Sequence, residues 1–219
     1  MATYTIRVSN QSTLDKSYVV TLQPPIVTAN GASPQIFTNA WRTFNKVTNG
    51  GWDTVVYNEN TYAYWAQQPS LSPGVTVDSG GALLMNTGTQ DTVSFVSGVD
   101  AGARGFIDLV SPGTAQGGSF EILTTTDFTP ASGFAFGLAS DNGSGIPSPI
   151  ATFKAAPNEK YNLTPIVKFY VTDGDFTEGE IMAVTTASNA TAAIDFTGST
   201  FTTATVIQSA NGAFSVNYS

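Results

Sequence analysis

The stretch that decides the fold is Thr3-Tyr-Thr-Ile-Arg-Val-Ser9, in which apolar and polar residues alternate. A period of two places successive side chains on opposite faces of a β-strand, one face buried and the other in water. Residues 11–16 are rich in turn formers, and residues 17–22 read as a returning strand. The chain is therefore predicted to begin with a β-hairpin.

The same alternation recurs along the rest of the chain, with clusters of Gly, Asn, Asp and Pro between the strands. Further candidate strands cover residues 52–57, 61–66, 75–78, 82–86, 92–96, 104–110, 119–124, 134–138, 150–155, 165–172, 180–185, 193–196, 202–207 and 213–218. Many short strands without intervening helices are typical of sandwiches and jelly rolls. We predict an all-β fold, an antiparallel two-sheet β-sandwich with jelly-roll character, in a single domain over residues 1–219.

One segment departs from this pattern. Phe37, Trp41 and Phe44 follow one another at roughly helical spacing, and Pro34 suits the first position of a helix. The threonines between them favour a helix only weakly. Two interpretations stay open, a short helix near residues 34–47 and a further pair of strands.

The predicted core consists of the larger apolar residues of the candidate strands. They are Tyr4, Ile6, Val8, Tyr18, Trp52, Val55, Phe95, Phe106, Phe120, Ile122, Phe134, Phe136, Phe169, Val171, Ile181, Ile194, Phe196, Val206, Phe214 and Val216.

Charge narrows the range of partners. The chain has 8 Lys and Arg against 16 Asp and Glu, a net charge of −8. So few scattered cations cannot neutralise a phosphate backbone, and we expect no nucleic acid partner and no binding to anionic membranes. The chain has no apolar run long enough to span a bilayer.

Charged residues make up only 11% of the sequence, so a neutral polar surface is expected to tolerate close packing against other copies of the chain.

The composition also narrows the possible chemistry. The chain contains no cysteine and no histidine. This removes disulfides, thiolate nucleophiles, the Ser-His-Asp triad and the commonest transition-metal ligands. We therefore expect a protein that is not an enzyme and that has no cofactor.

An acidic segment is the first candidate site. Asp173, Asp175, Glu178 and Glu180 fall within eight residues, around two glycines, in a predicted strand–turn–strand hairpin. Carboxylate oxygens on a tight loop are the ligands that Ca²⁺ prefers, although the spacing is not that of an EF-hand. The two interpretations are a calcium site and a solvated hairpin tip.

An aromatic stretch between residues 52 and 65 is the second candidate site. It carries Tyr57, Tyr62, Tyr64 and Trp65, with Asn58 and Asn60 between them. Sugars stack on aromatic rings while amides bond to their hydroxyls, so these residues suit a glycan-binding module. On a strand, however, Tyr62 and Tyr64 face one side and Trp65 the other, so part of the stretch is expected in the core.

A pair of carboxylates is the third candidate. Asp108 and Glu121 lie in two predicted strands joined by a Gly-rich connection. If those strands pair, both acids can enter one concave face, as in jelly-roll glycoside hydrolases. The alternative is two acids that point into solvent.

Two strings of residues carry a family resemblance. Phe37-Thr-Asn-Ala-Trp41 and Lys168-Phe-Tyr-Val-Thr-Asp-Gly-Asp175, with Glu178-Gly-Glu180, are similar to a group of β-rich proteins from bacteria and filamentous fungi. Some fungal members form intracellular protein crystals. The resemblance implies a self-associating β-sandwich with a role in storage, density or matrix, and it carries over no functional residues. The crystal proteins use disulfides, which this cysteine-free chain cannot form.

These observations give an order of functional hypotheses. The first is a non-catalytic structural protein that self-associates into oligomers or a lattice. The second is a lectin-like module that binds carbohydrate, and the third is a glycoside hydrolase. The first residues do not resemble a signal segment. The location is expected to be cytoplasmic or otherwise intracellular, or outside the cell if a leader has been removed.

Overall fold

The computed structural model describes residues 2–98, 103–183 and 191–219, and the strands in these ranges confirm an all-β protein. The strands are β1 (Thr3–Asn10), β2 (Lys16–Leu22), β3 (Ile26–Ala29), β4 (Ile36–Thr38), β5 (Arg42–Val47), β6 (Trp52–Asn58), β7 (Thr61–Gln67), β8 (Gly81–Met85), β9 (Thr92–Val96), β10 (Gly105–Val110), β11 (Phe120–Thr124), β12 (Phe134–Asp141), β13 (Pro147–Lys154), β14 (Lys160–Thr164), β15 (Lys168–Asp173), β16 (Thr191–Asp195), β17 (Thr203–Gln208) and β18 (Phe214–Tyr218). A 3₁₀ turn covers Pro130–Ser132. In the part of the chain that is described, no helix has the length and apolar character needed to cross a membrane.

The strands form four sheets rather than the two that the sequence suggested. Sheet I has the order β18-β17-β1-β6 and sheet II the order β16-β15-β2-β5. Sheet III runs β10-β9-β11-β14-β3 and sheet IV runs β4-β13-β12-β7-β8. Most neighbours are antiparallel, but β1 pairs with β17 and β9 with β11 in parallel. The expected hairpin of β1 and β2 is wrong, because these strands belong to sheets I and II.

The sheets face one another in two pairs. Tyr57 and Phe169 meet between sheets I and II, and Phe95 and Phe136 meet between sheets III and IV. The strands within residues 3–22, 42–58 and 168–218 build the first pair, while those within residues 26–38 and 61–164 build the second. One cluster of buried apolar residues includes members of all four sheets.

Most of the predicted core residues are buried, and Tyr4, Phe106, Phe214 and Val216 pack against the core while remaining partly exposed. Trp52 is the error, since 57% of its surface is exposed. Successive side chains of a strand point to opposite faces. Trp52 lies an odd number of residues before Val55 and Tyr57, which face the core, so its side chain faces solvent. The guanidinium of Arg7 covers its ring, 4.1 Å from the centroid.

The segment near residues 34–47 forms strands, and the helical interpretation is wrong. β4 adds to β13 in sheet IV, whereas β5 adds to β2 in sheet II. The chain crosses from one pair of sheets to the other at Asn39, Ala40 and Trp41, all of them buried. The apparently helical spacing of Phe37, Trp41 and Phe44 comes from this crossing.

The acidic segment does not form the predicted hairpin. β15 pairs with β2 and β16, while Glu180 and Ile181 form isolated bridges with Thr76 and Asn39. The strand predicted over residues 75–78 is reduced to the bridge at Thr76, with backbone hydrogen bonds joining Val75 and Val77 to residues 179–181. The strand predicted over residues 180–185 lies partly outside the described residues. Two short strands that the sequence did not predict, β3 and β14, pair with each other in sheet III.

Candidate functional site

The aromatic stretch is divided between the core and one cleft. Tyr64 is buried, and its hydroxyl bonds to that of Thr152. Tyr62 packs beside it on the outer face of sheet IV, whereas Trp65 packs on Phe95 and Phe134 between sheets III and IV. The rings of Tyr64 and Trp65 therefore serve packing and do not form one sugar-stacking surface with Tyr62.

Tyr57 occupies a different position. Its ring packs against Trp41 and Phe169, and only 3% of its surface is exposed. Its hydroxyl has no hydrogen-bond partner among the described residues. The hydroxyl oxygen is not fully buried, so it keeps some accessible surface. The remaining accessible part of Tyr57 lines a cleft, so the hydroxyl opens onto that cleft.

This cleft has a volume of about 390 Å³. Glu59 and Asn60, in the link between β6 and β7, border it together with Thr61 at the start of β7. Residues 84–87, at and just after the end of β8, border it as well. Pro165 and Val167, in the link between β14 and β15, complete the wall. The cleft therefore lies where segments from both pairs of sheets meet. Of the predicted glycan-binding residues it contains Tyr57 and Asn60, but not Asn58, whose enclosed Oδ1 has no partner in the described part of the chain.

Burial and charge keep the Tyr57 hydroxyl neutral. Burial, followed by the nearby Glu59 carboxylate and Tyr4, raises the pKa of Tyr57 to about 12. A neutral phenol can both donate and accept a hydrogen bond. At neutral pH the cleft thus contains the uncharged Tyr57 hydroxyl together with the Glu59 carboxylate.

Three of the four carboxylates of the acidic segment have separate partners. Asp173 forms an ion pair with Lys16 at 3.2 Å and accepts a bond from Gln208. Glu178 accepts bonds from Arg42 and from Asn142, on the other side of the crossing segment. Glu180 accepts a bond from the Thr177 N–H in its own turn.

These partners keep the candidate calcium ligands apart. Within residues 2–98, 103–183 and 191–219, no three acidic side chains gather as metal ligands would. Asp173 and Asp175 instead border a cleft of about 610 Å³ that also contains Lys16 and Lys46. The mixed charges of that cleft suit ion pairs between protein side chains.

Asp108 and Glu121 do not form the expected pair. β9 lies between β10 and β11, so two strand spacings separate the residues. Asp108 sits in an exposed bulge with a φ of 52°. Glu121 is buried, and it accepts bonds from Thr114 and Asn162. The two strands do not pair, so the condition on which the carboxylate pair of a glycoside hydrolase was predicted is not met.

The two strings that carry the family resemblance meet in space. The Asn39 amide donates to the Gly179 carbonyl, and Asn39 Oδ1 accepts from the Thr152 hydroxyl. The backbones of Ala40 and residues 179–180 also bond to each other. Asn39, Ala40, Thr152 and Gly179 are buried at this junction, so this part of the two motifs holds the crossing segment in place.

An exposed apolar edge is the feature that the sequence reasoning missed. β10 is the last strand of sheet III, and Ile107, Leu109 and Val110 on it are 38%, 45% and 51% exposed. Leu84 of the neighbouring edge strand β8 is half exposed as well. The run Phe106-Ile-Asp-Leu-Val110 could have signalled this edge, since it does not alternate cleanly.

A family model described as RhiA matches residues 1–219. No curated protein matches the chain. No solved structure matches it either.

Proposed function

The chain belongs to the RhiA family, and from this premise we propose that it is a non-catalytic structural protein that self-associates through the free edge of β10. The observation that carries the proposal is the exposure of Ile107, Leu109 and Val110 on that edge. We call these three residues, together with Leu84, the β10 patch.

Backbone groups supply the first part of the attraction. β9 occupies one side of β10, and no other strand among the described residues pairs with its second side. An edge strand presents unpaired N–H and C=O groups that can pair with another chain. Proteins commonly protect such edges with lysine or with a β-bulge. β10 contains no lysine, and Asp108, which lies in its bulge, is its one charged residue.

A second copy is the partner that fits this edge. An antiparallel pairing of β10 with β10 of another copy is self-complementary, as a two-fold interface must be. It would cover the apolar side chains of both patches at once, at about 25 cal/mol per Å² removed from water. A single charge on β10 adds little repulsion at this edge, while the net charge of −8 opposes association at low salt. The resemblance to crystal-forming β-rich proteins supports a role in storage or matrix.

Sedimentation over micromolar to millimolar concentrations tests the proposal. We expect the wild-type chain to form larger species as its concentration rises and Leu109→Lys to shift that transition to at least tenfold higher concentration. Ile146→Lys is the matched control, because Ile146 is 71% exposed and lies outside the patch. A wild-type monomer at millimolar concentration, or equal effects of the two variants, would overturn the proposal.

A further inference from the structure

The cleft beside Tyr57 contains polar groups that the fold leaves without partners. The Asn86 side-chain oxygen accepts bonds from Gly88 and Thr89, but its amide nitrogen has no partner in the described part of the chain. The Asn60 side chain is likewise unpaired among these residues, as is the Thr87 hydroxyl. Together with the Tyr57 hydroxyl, these groups place several neutral hydrogen-bond donors and acceptors around one small cleft.

Glu59 adds one strong acceptor to this set. Its Oε2 accepts the Ala2 N–H at 3.0 Å, which leaves Oε1 for another donor. Among the described residues that line the cleft, Glu59 is the only charged one, so the cleft disfavours an anionic ligand. A carboxylate next to amides and hydroxyls is suited to accept hydrogen bonds from the hydroxyls of a ligand.

Apolar side chains form the rest of the wall. Leu84 is half exposed, and Pro165 and Val167 are partly exposed. Clefts with such walls and a few convergent polar groups are the usual form of small-molecule sites. The ligand should therefore have both hydroxyl groups and C–H faces.

We propose that this cleft binds a neutral saccharide of one or two rings, with the Tyr57 hydroxyl and the Glu59 carboxylate bonding to its hydroxyls. Asn60 and Asn86 bond at the rim, and Leu84 and Val167 contact the C–H face of the ring. The site is a function additional to self-association. It is separate from the three β10 residues of the patch and shares only Leu84 with it.

Calorimetric titration with the methyl glycosides of glucose, galactose, mannose and N-acetylglucosamine tests the site. We expect at least one of them to bind, and Tyr57→Phe to weaken its binding about three- to tenfold through the loss of one neutral hydrogen bond. Tyr57→Phe keeps the ring that packs on Trp41 and Phe169, so its melting temperature should stay close to that of the wild type. Tyr62→Phe is the matched control, because Tyr62 belongs to the same stretch but does not line the cleft.

Charged sugars give the sharper comparison. Glucuronate should bind at least tenfold more weakly than glucose, because its carboxylate meets Glu59. Glu59→Gln should reduce this discrimination. If none of the four neutral glycosides binds at 20 mM, or if Tyr57→Phe and Tyr62→Phe weaken binding equally, the proposal is wrong. Binding of glucosamine alone would also overturn it, since that would identify an ammonium site.

Discussion

At the scale of single residues, a buried chain of hydrogen bonds fixes the junction of the two motifs. The Tyr64 and Thr152 hydroxyls bond to each other, Thr152 donates to Asn39, and Asn39 donates to the Gly179 carbonyl. Burial raises the pKa of Tyr64 above its usual value, against the smaller opposing effect of the Thr152 bond. A buried polar group without a partner is costly, so each hydrogen bond in this series fixes the position of the next side chain.

Asp91 has a comparable role in the loop that presents Asn86 to the cleft. Burial alone would raise the pKa of Asp91, but bonds from the Ser111 and Thr89 hydroxyls and from the Asn86 N–H outweigh burial and lower this pKa. A carboxylate with a lowered folded-state pKa contributes stability at pH values above the ordinary pKa of about 4. That contribution is lost as the pH falls through the folded-state value.

We expect Asp91→Asn to lower the free energy of unfolding at pH 6 by about 1.5–3 kcal/mol, the usual range for charge-assisted bonds. The loss of stability between pH 6 and pH 3 should be smaller in this variant than in the wild type. It should not vanish, because hydrogen bonds outweigh the effect of burial at Asp127 too and lower its pKa. Urea denaturation at both pH values measures this, with Asp15→Asn at an exposed position as the control. If Asp91→Asn and the wild type lost the same free energy of unfolding between pH 6 and pH 3, the prediction would be contradicted.

At the scale of elements, close pairing in sheet IV demands a glycine in β12. Gly137 lies opposite Tyr64 on β7 and Thr152 on β13. A Cβ at this position would overlap the Ala151 carbonyl oxygen and the Tyr64 ring. Both neighbours are held, the carbonyl by the sheet and the ring by its bond to Thr152, so neither can move cheaply.

Gly137→Ala is therefore expected to destabilise the protein by about 1–3 kcal/mol, the usual cost of overpacking. The midpoint of urea denaturation would measure this loss. Gly117→Ala is the matched control, since a Cβ there meets nothing within 4 Å, and it should change stability by less than about 0.5 kcal/mol. If Gly137→Ala left the stability unchanged, the prediction would be wrong, and sheet IV would relax more easily than this geometry allows.

At the scale of the whole molecule, Trp41 connects the two pairs of sheets. Its ring contacts Tyr57 and Phe169 between sheets I and II, while its Nε1–H donates to the Ser140 carbonyl of β12 in sheet IV. Asn142 in turn donates to the Trp41 carbonyl. The core cluster continues through the same region, which favours the prediction of a single domain.

We therefore expect one cooperative thermal transition, with equal calorimetric and van't Hoff enthalpies. Trp41→Phe should lower its midpoint by roughly 2–10 °C without splitting it, because one buried carbonyl loses its partner at a cost of about 1–3 kcal/mol. Trp52→Phe, at an exposed position, should change the midpoint by less than 2 °C. Two separate transitions in the wild-type chain would instead assign the pairs of sheets to separate domains.

The sequence by itself determined the class of fold and most of the strands. Period-two alternation depends only on neighbouring residues, so β1, β7, β9 and β17 were predicted within about two residues of their bounds. The alternation also indicated that Tyr62 and Tyr64 face away from Trp65, and the absence of cysteine and histidine limited the chemistry.

Only the tertiary structure decided which strands meet and which surfaces stay open. Pairings such as β1 with β17 join residues about 200 positions apart, and no local pattern specifies them. The same long-range pairing placed β9 between Asp108 and Glu121 and left β10 at an edge. It also turned the Tyr57 hydroxyl toward a cleft, because the walls of that cleft come from links that the chain brings together only when both pairs of sheets have formed.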